Sequence, residues 1–306
     1  MFRKSVSLLA LAFLFGPAQA AEPLVAHEWG LWHLMGGDAQ TMGQVFETLP
    51  PHVNNSIVDM NDFGWPNFGT LPDGTVVKKP VVWFYGPEGS AVEYKLTPRD
   101  QGNVLANFPS VSDSEFNVSA TWKLTLGAKG FPEPEGEKGV SPWYGKLYLP
   151  DANSVSVPEK NETEGFLFYE ASTFSGLPVA LSENGFVVFT ETMPLVVSIS
   201  KDDAGLAVQF DNALPATIQW QFPAAAEKMD TAQAADKLTQ QLVRFGLFEP
   251  EAKAFVSVWQ PELFETNGRC VLAVLAPETY ARLLPAQITP APQSFVRVGA
   301  ILVDLP

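Results

Sequence analysis

Two histidines, an acid and two tryptophans fall within seven residues, His27-Glu28-Trp29-Gly30-Leu31-Trp32-His33, and the third histidine, His52, follows shortly after. Imidazole is the one unperturbed side chain that changes charge between pH 5 and 8, so all histidine-based chemistry at neutral pH is confined to this window. Acid/base work needs a partner group. The segment Phe264-Glu265-Thr266-Asn267-Gly268-Arg269, between a predicted helix and a predicted strand, supplies an acid and a cation. An acid there that faces Glu28 or His27 in space makes an acid/base pair. The same residues also suit capping or ion pairing. The candidate catalytic set is therefore His27, Glu28, Glu265 and Arg269.

Metal binding is the second chemistry these types suggest. The helical zinc-protease motif needs histidines four apart, and position 31 is leucine, so the motif is absent. On a strand His27 and His33 share a face but lie about 20 Å apart. One metal reaches both only if the strand breaks at Gly30 or Gly36-Gly37, with His52 as a third ligand. The sequence predicts no cofactor; a divalent metal at these histidines is the alternative, and its ligand set stays open. Serine chemistry lacks its elbow motif, and Ser198-Ile199-Ser200-Lys201 lies in a strand pattern where the Ser-x-x-Lys motif has no helical context. The single cysteine, Cys270, reads as a core thiol on a strand.

Aromatic residues make up 12% of the chain, including eight tryptophans. Exposed rings of this kind stack on sugars, whereas buried ones fill a core. The candidate binding set is Trp29, Trp32, His33, His52, Tyr169 and Trp259.

The elements that position these residues change character along the chain. From Ala21 to Phe222 the pattern is strand after strand: Val76–Tyr85, Val92–Leu96, Phe116–Leu124, Phe166–Tyr169, Phe186–Glu191, Leu195–Lys201, Leu206–Phe210 and Thr217–Phe222. Phe116-Asn117-Val118-Ser119-Ala120-Thr121-Trp122 alternates apolar and polar, the mark of a sheet with one wet face. Turn signals stand at Pro72-Asp73-Gly74, Glu183-Asn184-Gly185 and Asp202-Asp203-Ala204-Gly205, and Phe131–Lys138 reads as an acidic, solvated loop.

After Pro223 the period becomes helical. Ala234, Leu238, Leu242 and Phe245 share one face over Thr231–Phe245, and Gly246 is the stop. A second helix spans Pro250–Trp259 and ends at Pro261. A strand (Arg269–Leu275), a short helix (Pro277–Leu284) and a last strand (Phe295–Leu305) complete the chain. The fold class expected is α+β: a β-rich, antiparallel, sandwich-like sheet over 21–222, with a helical pair and an α/β tail over 223–306 packed on it as one unit.

Residues 1–20 read as a signal peptide: Arg3 and Lys4, the apolar run Ser7–Phe15, then Ala18-Gln19-Ala20 as the cleavage site. Later stretches are too short to anchor the chain in a bilayer. After cleavage 17 basic residues face 34 acids, a net charge of −17. That excess disfavours nucleic acid and anionic membranes, which both need basic patches. The expected location is the periplasm or the extracellular space.

The motifs resemble an uncharacterised family of exported bacterial proteins marked by His-Glu-Trp-Gly-Thr-Phe near the mature start. The residues that carry the likeness are His27-Glu28-Trp29-Gly30, Leu49-Pro50-Pro51, Pro80-Val81-Val82-Trp83-Phe84-Tyr85 and Phe166-Leu167-Phe168-Tyr169. Further along are Trp259, Phe264-Glu265 with Gly268-Arg269, Leu284-Pro285, Ile288-Thr289-Pro290-Ala291-Pro292 and Val296-Arg297-Val298. The resemblance implies a fold unit and candidate positions, and no reaction. The chain departs from the pattern at Leu31 for threonine, at Glu170 for arginine, and at Gln260-Pro261 for an Arg-Asp pair.

With three polar positions altered and no catalytic motif, the sequence favours a non-catalytic envelope or extracellular binding protein for a glycan or peptide. The alternative is a hydrolase, metal-assisted or not, that uses His27 and Glu28 with Glu265 and Arg269. The export expectation has a direct test. Intact-mass measurement of the exported product should give a chain that starts at Ala21; an intact Met1 or a start at His27 contradicts it.

Overall fold

The computed structural model describes residues 22–34, 51–54, 75–100, 102–115, 118–133, 142–173, 176–182, 186–224 and 226–305. The signal segment, Trp65, Phe116-Asn117 and the turns at Pro72–Gly74 and Glu183–Gly185 lie outside them. Strands are β1 (Val25–Leu34), β2 (Thr75–Tyr85), β3 (Ala91–Leu96), β4 (Val104–Phe108), β5 (Asp113–Glu115) and β6 (Ser119–Lys129). Next come β7 (Asn153–Val157), β8 (Glu162–Glu164), β9 (Leu167–Thr173), β10 (Val179–Leu181), β11 (Val187–Phe189) and β12 (Met193–Asp202). The rest are β13 (Gly205–Leu214), β14 (Thr217–Trp220), β15 (Glu227–Met229), β16 (Gly268–Val274), β17 (Ala286–Thr289) and β18 (Ser294–Leu305). Helices are α1 (Pro51–Asn54), α2 (Thr231–Arg244), α3 (Glu249–Gln260) and α4 (Pro277–Leu283).

β1 is central. One large sheet runs in the order β15-β13-β12-β16-β18-β1-β2-β7-β6-β3-β17, and β9 joins β2 beside it. β1 pairs antiparallel with β2 but parallel with β18. The sheet is thus mixed, and the expectation of a wholly antiparallel one is corrected at this pair. Parallel pairing needs a long connection, and here that connection is nearly the whole chain. Ala26–Trp32 is buried at every residue, which is how a strand reads when both sheet faces are covered.

The two faces carry two apolar clusters. Trp29, Leu31, Trp83 and Phe168 point toward α2 and α3 and pack with Leu238, Leu242, Phe255 and Trp259. Trp32, Phe84, Tyr94, Tyr169 and Ile301 point the other way and pack with Tyr280 and Leu283 of α4.

The three C-terminal helices form where the sequence places them, whereas α1 is not expected from it. α2 starts in a reciprocal capping box between Asp230 and Gln233, buries Ala234, Leu238 and Leu242, and is followed by Gly246 at φ +102°. α3 has Pro250 in its first turn. It ends at Gln260 with Pro261 as its C-cap, as expected, and the chain continues from Pro261 into a π-helical turn, Pro261–Glu265. α4 presses Tyr280 onto β18 at Gly299, where an added Cβ would lie 2.8 Å from the ring. Only glycine allows that approach.

β18 separates β1 from β16, and β16 separates β18 from β12. Both β16 and β18 come from the last 40 residues. Residues 21–222 expressed alone would leave β1 and β12 without the strands between them. We expect that fragment to lack a cooperative thermal transition by calorimetry; a fragment that melts cooperatively at the full-length midpoint contradicts the one-unit fold.

Candidate functional site

Alternation along β1 sends Glu28 and His27 to opposite faces, and each meets a different polar system. Glu28 is fully buried and faces Arg297, its register partner on β18. The guanidinium bonds it through both forks: Nε to Oε2 at 2.8 Å and Nη2 to Oε1 at 2.8 Å. Three tyrosines also donate, Tyr94 to Oε2 at 2.9 Å, Tyr169 to Oε1 at 2.6 Å and Tyr280 to Oε1 at 2.7 Å. Arg297 gives its remaining Nη1 to the Leu284 carbonyl at 2.6 Å and lies 4.4 Å from the centre of the Tyr280 ring.

Burial alone would push the Glu28 carboxyl up, but the charge of Arg297 and the donated bonds outweigh it, so its pKa lies below the ordinary carboxylate value. Burial, and then the Glu28 charge, push all three tyrosines well up. Glu28 is therefore an ionised hub that joins β1, β3, β9, β18 and α4.

His27 points toward the helices. Its Nδ1 lies 2.8 Å from Oε2 of Glu251 in α3, which also accepts the Phe248 backbone N–H at 2.7 Å. Tyr85 donates to Oε1 at 2.6 Å, and the His27 ring packs 4.4 Å from Phe248. Glu251 is at once the helix's capping acid and the acceptor for His27. The arrangement fastens α3 to the sheet.

A third cluster gathers at the far end of β1. His33 Nε2 lies 2.9 Å from Oδ2 of Asp304 on β18. Beside it β2 bulges, with its register to β9 shifting between Val77 and Val81. Inside the bulge Lys79 takes φ +51° and is buried. Its ammonium sits 4.5 Å from the Trp143 ring and 4.3 Å from the Trp259 ring. Glu170 of β9 is buried nearby, and burial pushes its carboxyl up to about 7 against the pull of Lys79 and Lys78. Burial lowers Lys79 against the opposing charges of Glu262 and Glu170. Glu170 Oε2 and Glu262 Oε2 are buried without a hydrogen-bond partner among the described residues. A strained bulge that holds titratable groups pushed in opposite directions is the arrangement from which acid/base sites are built.

The sequence-predicted residues disperse. Glu265 bonds Gln260 at 2.7 Å on the surface, away from the Glu28 hub. Arg269 is exposed and lines surface pockets, with Trp220 and Phe222 in one and with Glu262, Cys270 and Asp304 in the other. His27, Glu28, Glu265 and Arg269 thus form no common site; the cation paired with Glu28 is Arg297. Trp29, Trp32, Tyr169 and Trp259 are all buried, on two different faces of the sheet, so their rings build core where a binding surface was expected. His52 lies in α1, 3.4 Å from the Tyr144 hydroxyl and 3.8 Å from Glu164, and burial pushes its pKa down. Cys270 is buried and free, its thiol pushed up to about 12 by burial and then by Asp304. No group of three or more His, Cys, Asp or Glu side chains that could hold a metal gathers among the described residues.

Sequence reasoning missed Arg297, Tyr94, Tyr280, Glu251, Lys79 and Glu262 as site residues. The best available signal was Lys78-Lys79 inside the apolar run of β2, because charged residues seldom enter a strand covered on both faces.

No family model and no curated protein matches this chain. Among solved structures it is similar to the Fcho1 Mu homology domain of Danio Rerio with bound Eps15 peptide, at 10% identity over 94% of this chain and 98% of that chain, with a TM-score of 0.29. Similarity at that level carries no argument about fold or function.

Two pH dependences follow. Because the Glu28 carboxyl is lower in the folded protein than in the unfolded chain, its stabilisation is complete above about pH 4.5 and is lost as pH falls through the folded value. Tyr169→Phe removes one donor to the buried carboxylate; it should cost about 1.5–3 kcal/mol at pH 7 and move acid unfolding to higher pH. An unchanged acid midpoint, read by circular dichroism, contradicts this. Glu170 has the opposite sign. Its carboxyl is higher when folded, so stability falls as pH rises from 4.5 to about 7. Glu170→Gln should gain up to about 3 kcal/mol relative to wild type between pH 4 and pH 8. A difference in unfolding free energy that does not change with pH contradicts it.

Proposed function

We propose that this chain is an exported, non-catalytic binding protein whose ligand site is the aromatic cleft at Phe186, Trp220, Phe222 and Arg269, and whose ligand is a glycan. The observation that carries the reading is the fate of the catalytic candidates. Every lone pair that would make Glu28 a base is directed at Arg297 and three tyrosines in the core, and His27 is fixed on Glu251. Chemistry at those atoms would require dismantling the fold.

The cleft supplies what a sugar needs. Its volume is about 260 Å³, with Phe186 and Phe222 partly exposed over the buried Trp220 and with Arg269 at the same opening. Trp220 and Phe222 meet edge to face with ring centres 6.2 Å apart. Aromatic walls offer C–H contacts to a pyranose ring, and a guanidinium donates to its hydroxyls or carboxylate. Trp220 comes from the small sheet β10-β11-β14, which sends Val179, Val187 and Phe189 into the core on the Glu28 face. We read that sheet as the second layer of a sandwich whose rim carries the cleft. Export rests on the segment 1–20, and the location on our reading is the periplasm or the medium.

Titration calorimetry against a panel of neutral and uronic-acid oligosaccharides, with soluble peptides as the second arm, tests the assignment. We expect a glycan to bind, and Arg269→Ala and Phe222→Leu to weaken it about tenfold each at an unchanged fold, the loss expected for about 1.4 kcal/mol of contact energy. Binding of peptides alone, or glycan binding that both variants leave intact, overturns it.

A further inference from the structure

We propose that Lys79 is an imine-forming lysine that captures a small neutral aldehyde or ketone. The site is a different one from the aromatic cleft and does not depend on the glycan reading. A lysine in a buried strand normally pairs with an acid across the sheet. Lys79 has such an acid in Glu170 of β9, but it occupies a bulge of β2 with φ +51°, a conformation that lysine rarely adopts, and its ammonium lies against the rings of Trp143 and Trp259. Backbone strain held by surrounding packing concentrates where a side chain must be aimed.

The groups that face Lys79 come from every neighbouring element: Lys78 on its own strand, Glu170 on β9 and Glu262 on the π turn after α3. Asp304 of β18 acts on Lys78. Two features point to a guest. Glu170 Oε2, Glu262 Oε2 and the indole Nε1 of Trp259 are buried and lack hydrogen-bond partners among the described residues. Glu170 is 1% exposed, so that oxygen has no recourse to bulk water. Two acceptors and a donor around one amine suit a small molecule with an oxygen on carbon. Glu262 also lines a surface pocket of about 210 Å³ with Leu263, Arg269 and Asp304, so one of the two carboxylates that act on Lys79 borders an opening to the surface.

The chemistry balances without an oxidant or reductant. Burial favours the neutral amine, whose lone pair forms a bond to the carbonyl carbon. The carbonyl π pair moves to oxygen, which takes a proton from the Glu170 carboxylic acid, a group that still holds much of its proton near neutral pH. The resulting carbinolamine loses its hydroxyl as water, carrying a second proton that began on nitrogen, while the nitrogen lone pair forms the C=N bond. The product keeps one positive charge on nitrogen, as the ammonium had. Two indole faces and the carboxylates hold that charge. Glu170 acts as the proton donor, and Trp143 and Trp259 are positioning residues.

The full-length folded protein is incubated near pH 7 with millimolar glycolaldehyde and cyanoborohydride, which reduces any imine to a stable secondary amine. Tryptic mapping by mass spectrometry then ranks the lysines. Lys253, which is exposed, and Lys237, which is partly exposed, serve as internal standards. We expect Lys79 to be labelled at least tenfold faster than either standard. Glu170→Gln, checked for its fold by circular dichroism, should slow Lys79 about tenfold and leave Lys253 unchanged. Labelling of Lys79 that is equal to or slower than that of the standards, or that appears only in denaturant, overturns the proposal. A Glu170→Gln rate equal to wild type overturns the proton-donor role.

Discussion

The ion pair between Glu28 and Arg297 is the contact on which the rest of the structure depends. It joins the first described strand to the last across 269 residues, in the single parallel pairing of the large sheet among the described strands. A carboxylate and a guanidinium withdrawn from water cost several kcal/mol each, and their attraction repays this only if the remaining lone pairs and protons are satisfied. Here both forks of the guanidinium meet the carboxylate, three tyrosine hydroxyls complete its shell, and the last guanidinium arm takes a backbone carbonyl. Those tyrosines come from β3, β9 and α4, so the correct arrangement of four distant segments is checked at one carboxylate. A register slip of one residue on β1 or β18 would turn a charge into an apolar face. The pair acts as a device for register and specificity first, and as a source of stability second.

The same strand serves a second polar system on its other face, where His27 meets Glu251, the acid that caps α3. The adjacent residues His27 and Glu28 thus hold the helix layer and the tyrosine layer respectively. This explains why an acid and an imidazole stand side by side without forming a site together: neighbours on a strand point apart. The tension in the fold lies at the opposite end of β1, in the Lys79 bulge. There charged groups enter the core without the full satisfaction that Glu28 enjoys, and two carboxylate oxygens are left without partners among the described residues.

Much of the element pattern is legible in the residues. The helix over Thr231–Arg244 follows from Asp230, Gln233 and the Ala234, Leu238, Leu242 stripe, and the β12–β13 hairpin follows from Asp202-Asp203-Ala204-Gly205. Strands such as β4, β7 and β17 escape notice because they are short and carry weak alternation. The mixed character of the sheet escapes as well, because β1 and β18 pair through a contact that no local pattern encodes. The site is less legible than the fold. Glu28 attracts attention in sequence because an acid stands in an apolar run, but its partner sits in a plain strand, Val296-Arg297-Val298. Tyr94, Tyr169 and Tyr280 look like ordinary packing aromatics, since nothing in a tyrosine's neighbours says where its hydroxyl will point. Trp29, Trp32 and Trp259 are abundant and large, which suggests a stacking surface; burial on both faces of the sheet makes them core instead.

A double-mutant cycle across the central pair is the most direct test of this account. Urea unfolding would be measured at pH 7 for wild type, Glu28→Gln, Arg297→Met and the double variant. Each single change strands a buried charge, and we expect each to cost about 3–5 kcal/mol. The double variant removes both charges and should be less destabilised than the sum of the singles by at least about 2 kcal/mol. Additive losses, or a Glu28→Gln variant as stable as wild type, would show that Glu28 and Arg297 do not hold β1 to β18, and would contradict the account.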